Sequence, residues 1–85
     1  MNFGQAIEAV KAGKSAARKG WNGKGMFIYL VKGNDLSSGL KYGFGEYEGE
    51  PTFTSAIFIK TAQNTISPWQ PSNGDMLAED WVVVE

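Results

Sequence analysis

The residue types that most often do chemistry in proteins are missing from this chain. The sequence contains no cysteine and no histidine, which removes thiolate ligands, the commonest general base and the commonest metal ligand. Ser-His-Asp and Cys-His arrangements are therefore excluded, as are zinc sites of the usual kind. What remains open is binding, or chemistry carried by carboxylates.

A glycine-rich stretch, GWNGKG, is the first candidate for binding. Gly23 and Gly25 flank Lys24, directly after Trp21 and Asn22. Glycines let backbone N–H groups approach a phosphate closely, and a lysine supplies the countercharge. The spacing is neither that of a P-loop nor that of a dinucleotide fingerprint, and an apolar strand follows it instead of a helix. On spacing alone, Asn22-Gly23 indicates an ordinary hairpin turn, and phosphate binding is the minority interpretation.

Two tryptophans occur in loop-like surroundings. Trp21 and Trp69 have glycine, asparagine, proline or serine as neighbours. A tryptophan on a loop can stack on an adenine base or a sugar. It can equally close the end of a small core, with its indole N–H reaching solvent. The pattern leaves these two interpretations balanced, whereas Trp81, which opens the apolar run WVVV, is expected in the core.

Carboxylates form two groups, one in the segment YGFGEYEGE and one near the C-terminal end. The second group contains Asp75, Glu79 and Asp80. A glycosidase needs two carboxylates facing one substrate, but alternating glutamates more often mark a solvated strand edge. Because no feature gathers either group into a pocket, we expect no catalysis.

The N-terminal segment has the pattern of a short amphipathic helix. Asn2 can cap it, and apolar residues recur at i, i+4 and i+7 from Phe3. Gly13 stands where a C′ glycine ends a helix. We predict a helix over about residues 3–12.

Alternating apolar segments predict the strands. The most apolar of them has apolar residues on both faces, so we expect it to be central and covered on both sides. Gln63-Asn64 indicates a turn that joins two strands in a hairpin, and the segment from Pro68 to Pro71 should break regular structure. We predict strands over Ser15–Lys19, Met26–Val31, Ala56–Lys60, Thr65–Ser67 and Trp81–Val84.

The remaining elements complete an α+β fold. Ser72 and Asp75 have the spacing of a capping box for a short helix that reaches about Ala78. Lys32–Thr54, with five glycines, reads as a long excursion, for example a loose hairpin. The order of elements predicts a small, mainly antiparallel sheet with an N-terminal helix and a short C-terminal helix.

The length and the net charge of the chain limit the kinds of partner that it can have. With 85 residues, the chain should form a single domain, residues 1–85, and a domain this small often gains stability by oligomerising. Its 8 basic and 9 acidic residues give a net charge of −1, which does not suit a binder of long nucleic acids. The apolar runs are too short to span a membrane, and the N-terminus lacks a signal peptide's apolar region. We expect a soluble, intracellular protein.

Two long stretches resemble one known family. The opening MNFGQAIEAVKAGKSAARKGWNGKGMFIYLV and the closing IKTAQNTISPWQPSNGDMLAEDWVVVE are similar to the corresponding parts of the second Thoeris anti-defence family of phage proteins. Between them, Lys32–Ser55 matches no pattern of that family. In addition, Phe58 stands where the family pattern has a polar residue.

The resemblance implies a binding function. Such proteins are sponges that sequester, without cleaving it, the cyclic ADP-ribose-type signal of bacterial TIR-domain immune proteins, so that the Thoeris effector is not activated. Some members also bind cyclic di- or trinucleotides. The family is homo-oligomeric, typically tetrameric, with pockets between subunits. The resemblance thus implies a non-enzymatic protein without cofactor or metal, acting in the cytoplasm of the infected bacterial host.

The same resemblance suggests which residues contact the ligand. We expect Trp21 or Trp69 to stack on the base, glycine amides and Lys24 to meet the pyrophosphate, and Asn73 or Asp75 to read a hydroxyl. The alternatives are a structural or protein-binding phage module and a carboxylate-dependent hydrolase of a nucleotide or sugar. The predicted ligand-binding residues are Trp21, Asn22, Gly23, Lys24, Gly25, Met26, Trp69, Ser72, Asn73 and Asp75.

Overall fold

A computed structural model describes residues 1–21, 24–35 and 52–84 of the chain. In these ranges no helix has the length and hydropathy needed to cross a membrane. The predicted Asn22-Gly23 turn and most of the predicted excursion lie outside the described residues. The helices are α1 (Phe3–Lys11) and α2 (Asn73–Leu77), and the strands are β1 (Ser15–Arg18), β2 (Phe27–Val31), β3 (Ala56–Lys60), β4 (Ile66–Pro68) and β5 (Trp81–Val84).

The strands form one antiparallel sheet, which confirms the predicted α+β class. Their order is β4-β3-β2-β1-β5, so β2 is the central strand, as its apolar sequence predicted. β1 lies between β2 and β5: Ala16 pairs with Ile28 on one side and with Val83 on the other. The C-terminal strand therefore lies beside the first one, and residues far apart in sequence meet at this side of the sheet.

Helix α1 is stabilised at both ends by the residues that predicted it. The Asn2 side chain accepts a hydrogen bond from the Gln5 N–H at 2.8 Å, and the Gln5 side chain accepts one from the Asn2 N–H at 2.9 Å. This capping box satisfies two N–H groups that the first turn leaves without helical partners. After the helix, Gly13 takes φ +94°, a backbone conformation that favours glycine.

The β3–β4 hairpin confirms one prediction and corrects another. Asn64 adopts φ +63° in the predicted turn. However, β4 extends to Pro68, which we had placed in the break that follows the strand; it pairs with Phe58. Because β4 is an edge strand, the missing N–H of a proline is tolerated there.

The inner face of the sheet carries the core. Ala6 and Val10 of α1 are fully buried against Ala16, Ile28 and Trp81. Helix α2 lies on this same face, where the backbone oxygen of one of its residues accepts a hydrogen bond from the Trp81 indole. Helices α1 and α2 therefore both cover the inner face.

The opposite, outer face of the sheet is almost wholly apolar. Its members follow from the strand register and from the alternation of side chains along a strand. We had expected β2 to be covered on both sides, but Phe27 and Tyr29 are only half-buried. The outer face comprises Ser15, Ala17, Phe27, Tyr29, Val31, Ala56, Phe58, Lys60, Ile66, Pro68, Val82 and Val84.

The excursion between β2 and β3 has a tightly fixed base. The Gly33 N–H donates to the Ser55 hydroxyl at 3.2 Å. A Cβ atom at Gly33 would collide with the Phe53 carbonyl oxygen, so the two chain segments approach each other at a distance that only glycine permits.

Candidate functional site

The two loop tryptophans meet on a third, buried one. Trp81 is 0% exposed. The Trp21 ring lies 5.3 Å from it at an interplanar angle of 79°, and the Trp69 ring lies 6.1 Å from it at 83°. Both are edge-to-face contacts, the arrangement that aromatic quadrupoles favour. Trp21 and Trp69 are themselves half-buried, so each has surface left for a further contact.

Asp75 joins this tryptophan cluster to the polar residues around it. Its carboxylate accepts hydrogen bonds from Arg18 at 2.9 Å, from the Trp21 indole N–H at 3.3 Å and from the Ser72 backbone N–H at 2.9 Å. Its backbone oxygen accepts the Trp81 indole N–H at 3.0 Å. The indole N–H of Trp21 thus donates to a carboxylate instead of to water. This hydrogen bond fixes the orientation of the indole.

Arg18 holds two acids at once. Its Nε donates to Asp80 at 2.9 Å while a terminal nitrogen donates to Asp75 at 2.9 Å, and the second oxygen of Asp80 accepts the Gly20 N–H at 2.8 Å. Arg18 is not among the predicted ligand-binding residues. Its actual role depends on the β1–β5 pairing, which joins residues more than 60 positions apart, and no local pattern reveals it.

These contacts favour the charged forms of all three groups. For Asp75, burial opposes ionisation, but hydrogen bonds from Ser72, Arg18 and Trp21 outweigh it and lower the pKa below its ordinary value. The hydrogen bond from Arg18, helped by the Gly20 N–H, lowers the pKa of Asp80. Asp80 and then Asp75 raise the pKa of Arg18. Neither acid is suited to donate a proton near neutral pH.

Helix α2 begins at two of the predicted site residues. Ser72 is its N-cap, with the hydroxyl accepting the Asp75 N–H at 3.1 Å, so the predicted capping box is confirmed. Asn73 is the first residue of the helix and its side chain is exposed. Ser72 and Asn73 therefore lie next to the carboxylate that orients Trp21.

The glycine-rich turn leads into β2 beside Lys60, the last residue of β3. Gly25 takes φ +74°, and its carbonyl oxygen accepts a hydrogen bond from Lys60 Nζ at 3.3 Å. The same ammonium lies 5.9 Å from the centre of the Phe27 ring. Lys24 is exposed and Met26 is half-buried. Asn22 and Gly23 lie outside the described residues.

The described residues contain a cleft away from the tryptophan cluster but no candidate metal site. Within the described ranges, no group of three or more acidic residues could hold a metal ion. A cleft of about 560 Å³ opens at the far end of β2 from the glycine-rich turn, and none of the predicted ligand-binding residues lines it. Its lining residues are Leu30, Lys32, Gly33, Asn34, Phe53, Thr54 and Ser55.

Comparison with known proteins gives a concordant result over nearly the whole chain. Residues 1–84 match a family model described as the Thoeris anti-defense 2-like domain. A protein of Bacillus phage SP01 named "Thoeris anti-defense 2" is 52% identical over 84 residues, which cover 99% of this chain and 94% of that protein. The match therefore includes the middle segment in which the sequence alone showed no family pattern.

Proposed function

Because the chain belongs to the Thoeris anti-defence 2-like family, we propose that it is a sponge, which binds a cyclic ADP-ribose-type immune signal and sequesters it without cleavage. Family membership confirms the resemblance of the two end blocks and indicates a phage function directed against Thoeris defence. We further propose that the protein acts in the cytoplasm of the infected host. Cyclic di- and trinucleotides are a second ligand class within this proposal.

The observation that carries the binding proposal is the setting of Trp21. Its ring packs edge-to-face with Trp81 and its indole N–H donates to Asp75, yet the residue is only half-buried. Holding an aromatic ring in place before the ligand arrives reduces the entropy lost on binding. We propose that the remaining surface of Trp21 stacks on the adenine base, with Trp69 as the second aromatic of the same cluster.

We propose contacts to the rest of the ligand from the glycine-rich turn and from the start of α2. We propose that the amides of the glycine-rich turn and Lys24 meet the pyrophosphate, and that Ser72 and Asn73 meet ribose hydroxyls. Asn73 is exposed at the start of α2 and available for this role. For Asp75 we propose a positioning role, because its two carboxylate oxygens already accept three hydrogen bonds.

The ionised state of Asp75 and Asp80 supports the proposal that the bound signal is not cleaved. Hydrolysis by paired carboxylates needs one of them protonated as a general acid. Asp75 and Asp80 both bind Arg18, and their pKa values are lowered. The ion pairs thus hold both groups in the form that cannot donate a proton.

We also propose that the protein is a homo-oligomer, namely a tetramer, as the resemblance to the family implies. Support comes from the outer face of the sheet, where ten of the twelve strand positions are apolar or aromatic side chains, the exceptions being Ser15 and Lys60. An antiparallel sheet with one face in water normally alternates apolar and polar residues. Packing the outer face against a second copy would remove this surface from water.

The decisive experiment determines whether the bound signal molecule is chemically unchanged when it is released from the protein. The purified protein is incubated with cyclic ADP-ribose isomers, separated from free ligand, denatured by heat, and the released compound is identified by mass spectrometry. Recovery of intact signal is expected. Recovery of a linear or hydrolysed product would contradict sequestration and favour the hydrolase, and failure of every cyclic nucleotide to bind would favour the protein-binding module.

Replacement of Trp21 tests the stacking role. Trp21→Ala should weaken binding of the preferred isomer by roughly 1–3 kcal/mol, the usual contribution of base stacking, measured by calorimetry. Trp21→Phe is the matched control, because it keeps an aromatic face and loses the hydrogen bond to Asp75. If both variants bind as tightly as the parent while remaining folded, Trp21 only fills the core.

A further inference from the structure

We infer that Lys60 is a phosphate-binding residue of this site. The inference rests on the proposed function and makes it more specific, because it names the cation that recognises the pyrophosphate. Sequence reasoning gave that role to Lys24. The fold brings Lys60 to the same turn from a different strand.

The position of Lys60 follows from strand register. Lys60 is the last residue of β3 and pairs with Phe27, the first residue of β2, so its side chain reaches the end of the glycine-rich turn. Its ammonium donates to the Gly25 carbonyl at 3.3 Å and lies over the Phe27 ring at 5.9 Å. An ammonium has three N–H donors, so this arrangement fixes the charge and leaves donors for ligand oxygens.

The charge of Lys60 has no partner of opposite sign in the described ranges. No carboxylate there lies within 4.0 Å of its Nζ, whereas the charge of Arg18 is shared by two acids. Lys24 also lacks an ion pair in these ranges, but it makes no hydrogen bond there either and is exposed. Lys60 is therefore the better ordered of the two cations at the turn.

The location of Lys60 on the outer face strengthens the inference. Among the strand residues of that face it is the only charged one. If the outer face packs against a second copy, the ammonium lies at or beside an apolar interface, where an unpaired charge is costly. A symmetric contact would place an equivalent lysine on the partner's surface and add no acid from these strands. An anionic ligand at the interface supplies the missing negative charge.

The ligand class that satisfies this arrangement carries phosphate. A pyrophosphate oxygen can accept a charge-assisted hydrogen bond from Lys60 while the adjacent base contacts an aromatic residue. A neutral nucleoside offers no such group. Lys60 should therefore contribute to binding of cyclic ADP-ribose isomers and should contribute nothing to binding of adenosine.

The test compares the loss of a lysine at position 60 with the same loss at a control position, and it includes a variant that keeps the positive charge at position 60. Binding of cyclic ADP-ribose isomers is measured by calorimetry for the parent protein, Lys60→Met, Lys60→Arg and the control Lys14→Met, which removes an exposed lysine after α1. We expect at least a tenfold loss of affinity for Lys60→Met, a smaller loss for Lys60→Arg and no change for Lys14→Met. Equal binding by folded Lys60→Met and Lys14→Met would overturn the inference and leave the proposed function intact.

A second measurement uses the unaltered protein, so it does not depend on the folding of any variant. Lysines are acetylated with and without the isomer that binds, and the modified positions are quantified by mass spectrometry. We expect the ligand to protect Lys60 and to leave Lys14 unchanged. Unchanged acetylation of Lys60 would overturn its role, while failure of the parent protein to bind any isomer or cyclic oligonucleotide would overturn the proposed function itself.

Discussion

At the residue scale, the Arg18, Asp75 and Asp80 cluster makes stability depend on pH. Asp75 and Asp80 have lowered pKa values in the folded protein, so the unfolded chain binds more protons in acid. Their contribution to stability is present above their ordinary pKa, about 4, and is lost as pH falls through the lowered folded-state values. Urea unfolding between pH 2 and pH 7 should show the free energy of unfolding decline on the acid side.

The variant Arg18→Gln is the control for this pH dependence. Removing the guanidinium takes away the main contact that lowers the pKa of Asp80 and one of those that lower the pKa of Asp75. The variant should be less stable at pH 7 and should lose less stability on acidification. An acid-side decline as steep as that of the parent protein would show that other groups cause it.

The sequence indicated several residues that the fold brings together, but not the contacts among them. Trp21 and Trp69 stand out by residue type and setting, Ser72 and Asp75 by their capping-box spacing, and the resemblance suggests all four as ligand contacts. The fold brings them together around Trp81. The orientation of Trp21 and the ion pair of Asp75 depend on contacts across 54 and 57 positions, and a single sequence holds no record of such pairings.

At the element scale, helix ends and turns were predictable because their signals are local. A capping box spans four residues and a C′ glycine is one residue, so α1 and α2 were located to within about a residue. Pro68 was assigned wrongly because proline is tolerated in a strand only at an edge or bulge. Edge position is a property of the sheet order, which local patterns do not contain.

Two glycines, one inside α1 and one just after it, should respond oppositely to alanine. Gly13 has φ +94°, and a Cβ added there would meet no atom within 4 Å, so Gly13→Ala should cost roughly 1–2 kcal/mol through backbone strain alone. Gly4, inside α1, would make only an ordinary contact of 3.5 Å with Asn2. Gly4→Ala should therefore stabilise by up to about 1 kcal/mol, because alanine favours helix.

Urea unfolding of the two alanine variants, compared with the parent protein, measures both effects. Destabilisation by Gly4→Ala, or no loss in Gly13→Ala, would contradict the conformations assigned to α1 and its C-terminal end.

At the scale of the whole molecule, the outer face predicts how association can be broken. Phe58 lies in the middle of that face opposite Tyr29. If the outer face is the oligomer interface, Phe58→Thr should shift the protein toward monomers, because burying a phenylalanine contributes roughly 1.5–3 kcal/mol. Sedimentation velocity over a range of micromolar concentrations measures the shift.

Leu77→Thr is the matched control for the outer-face variant. Leu77 is also a large apolar residue, 82% exposed, but it belongs to α2, on the other side of the sheet. It should sediment like the parent protein. A parent protein that is monomeric throughout, or a folded Phe58→Thr variant that associates as the parent does, would contradict the assignment of the interface.

The narrow base of the excursion has a thermodynamic consequence. Gly33 and Ser55 close the chain between β2 and β3 with a hydrogen bond of their own, at the end of β2 remote from Trp21 and Lys60. The entropy of closing a loop grows only logarithmically with its length, so doubling the enclosed segment would cost only about 0.6 kcal/mol. Because this hydrogen bond closes the base at the opposite end of β2, the stability of the tryptophan cluster should depend little on the number of residues between Gly33 and Ser55.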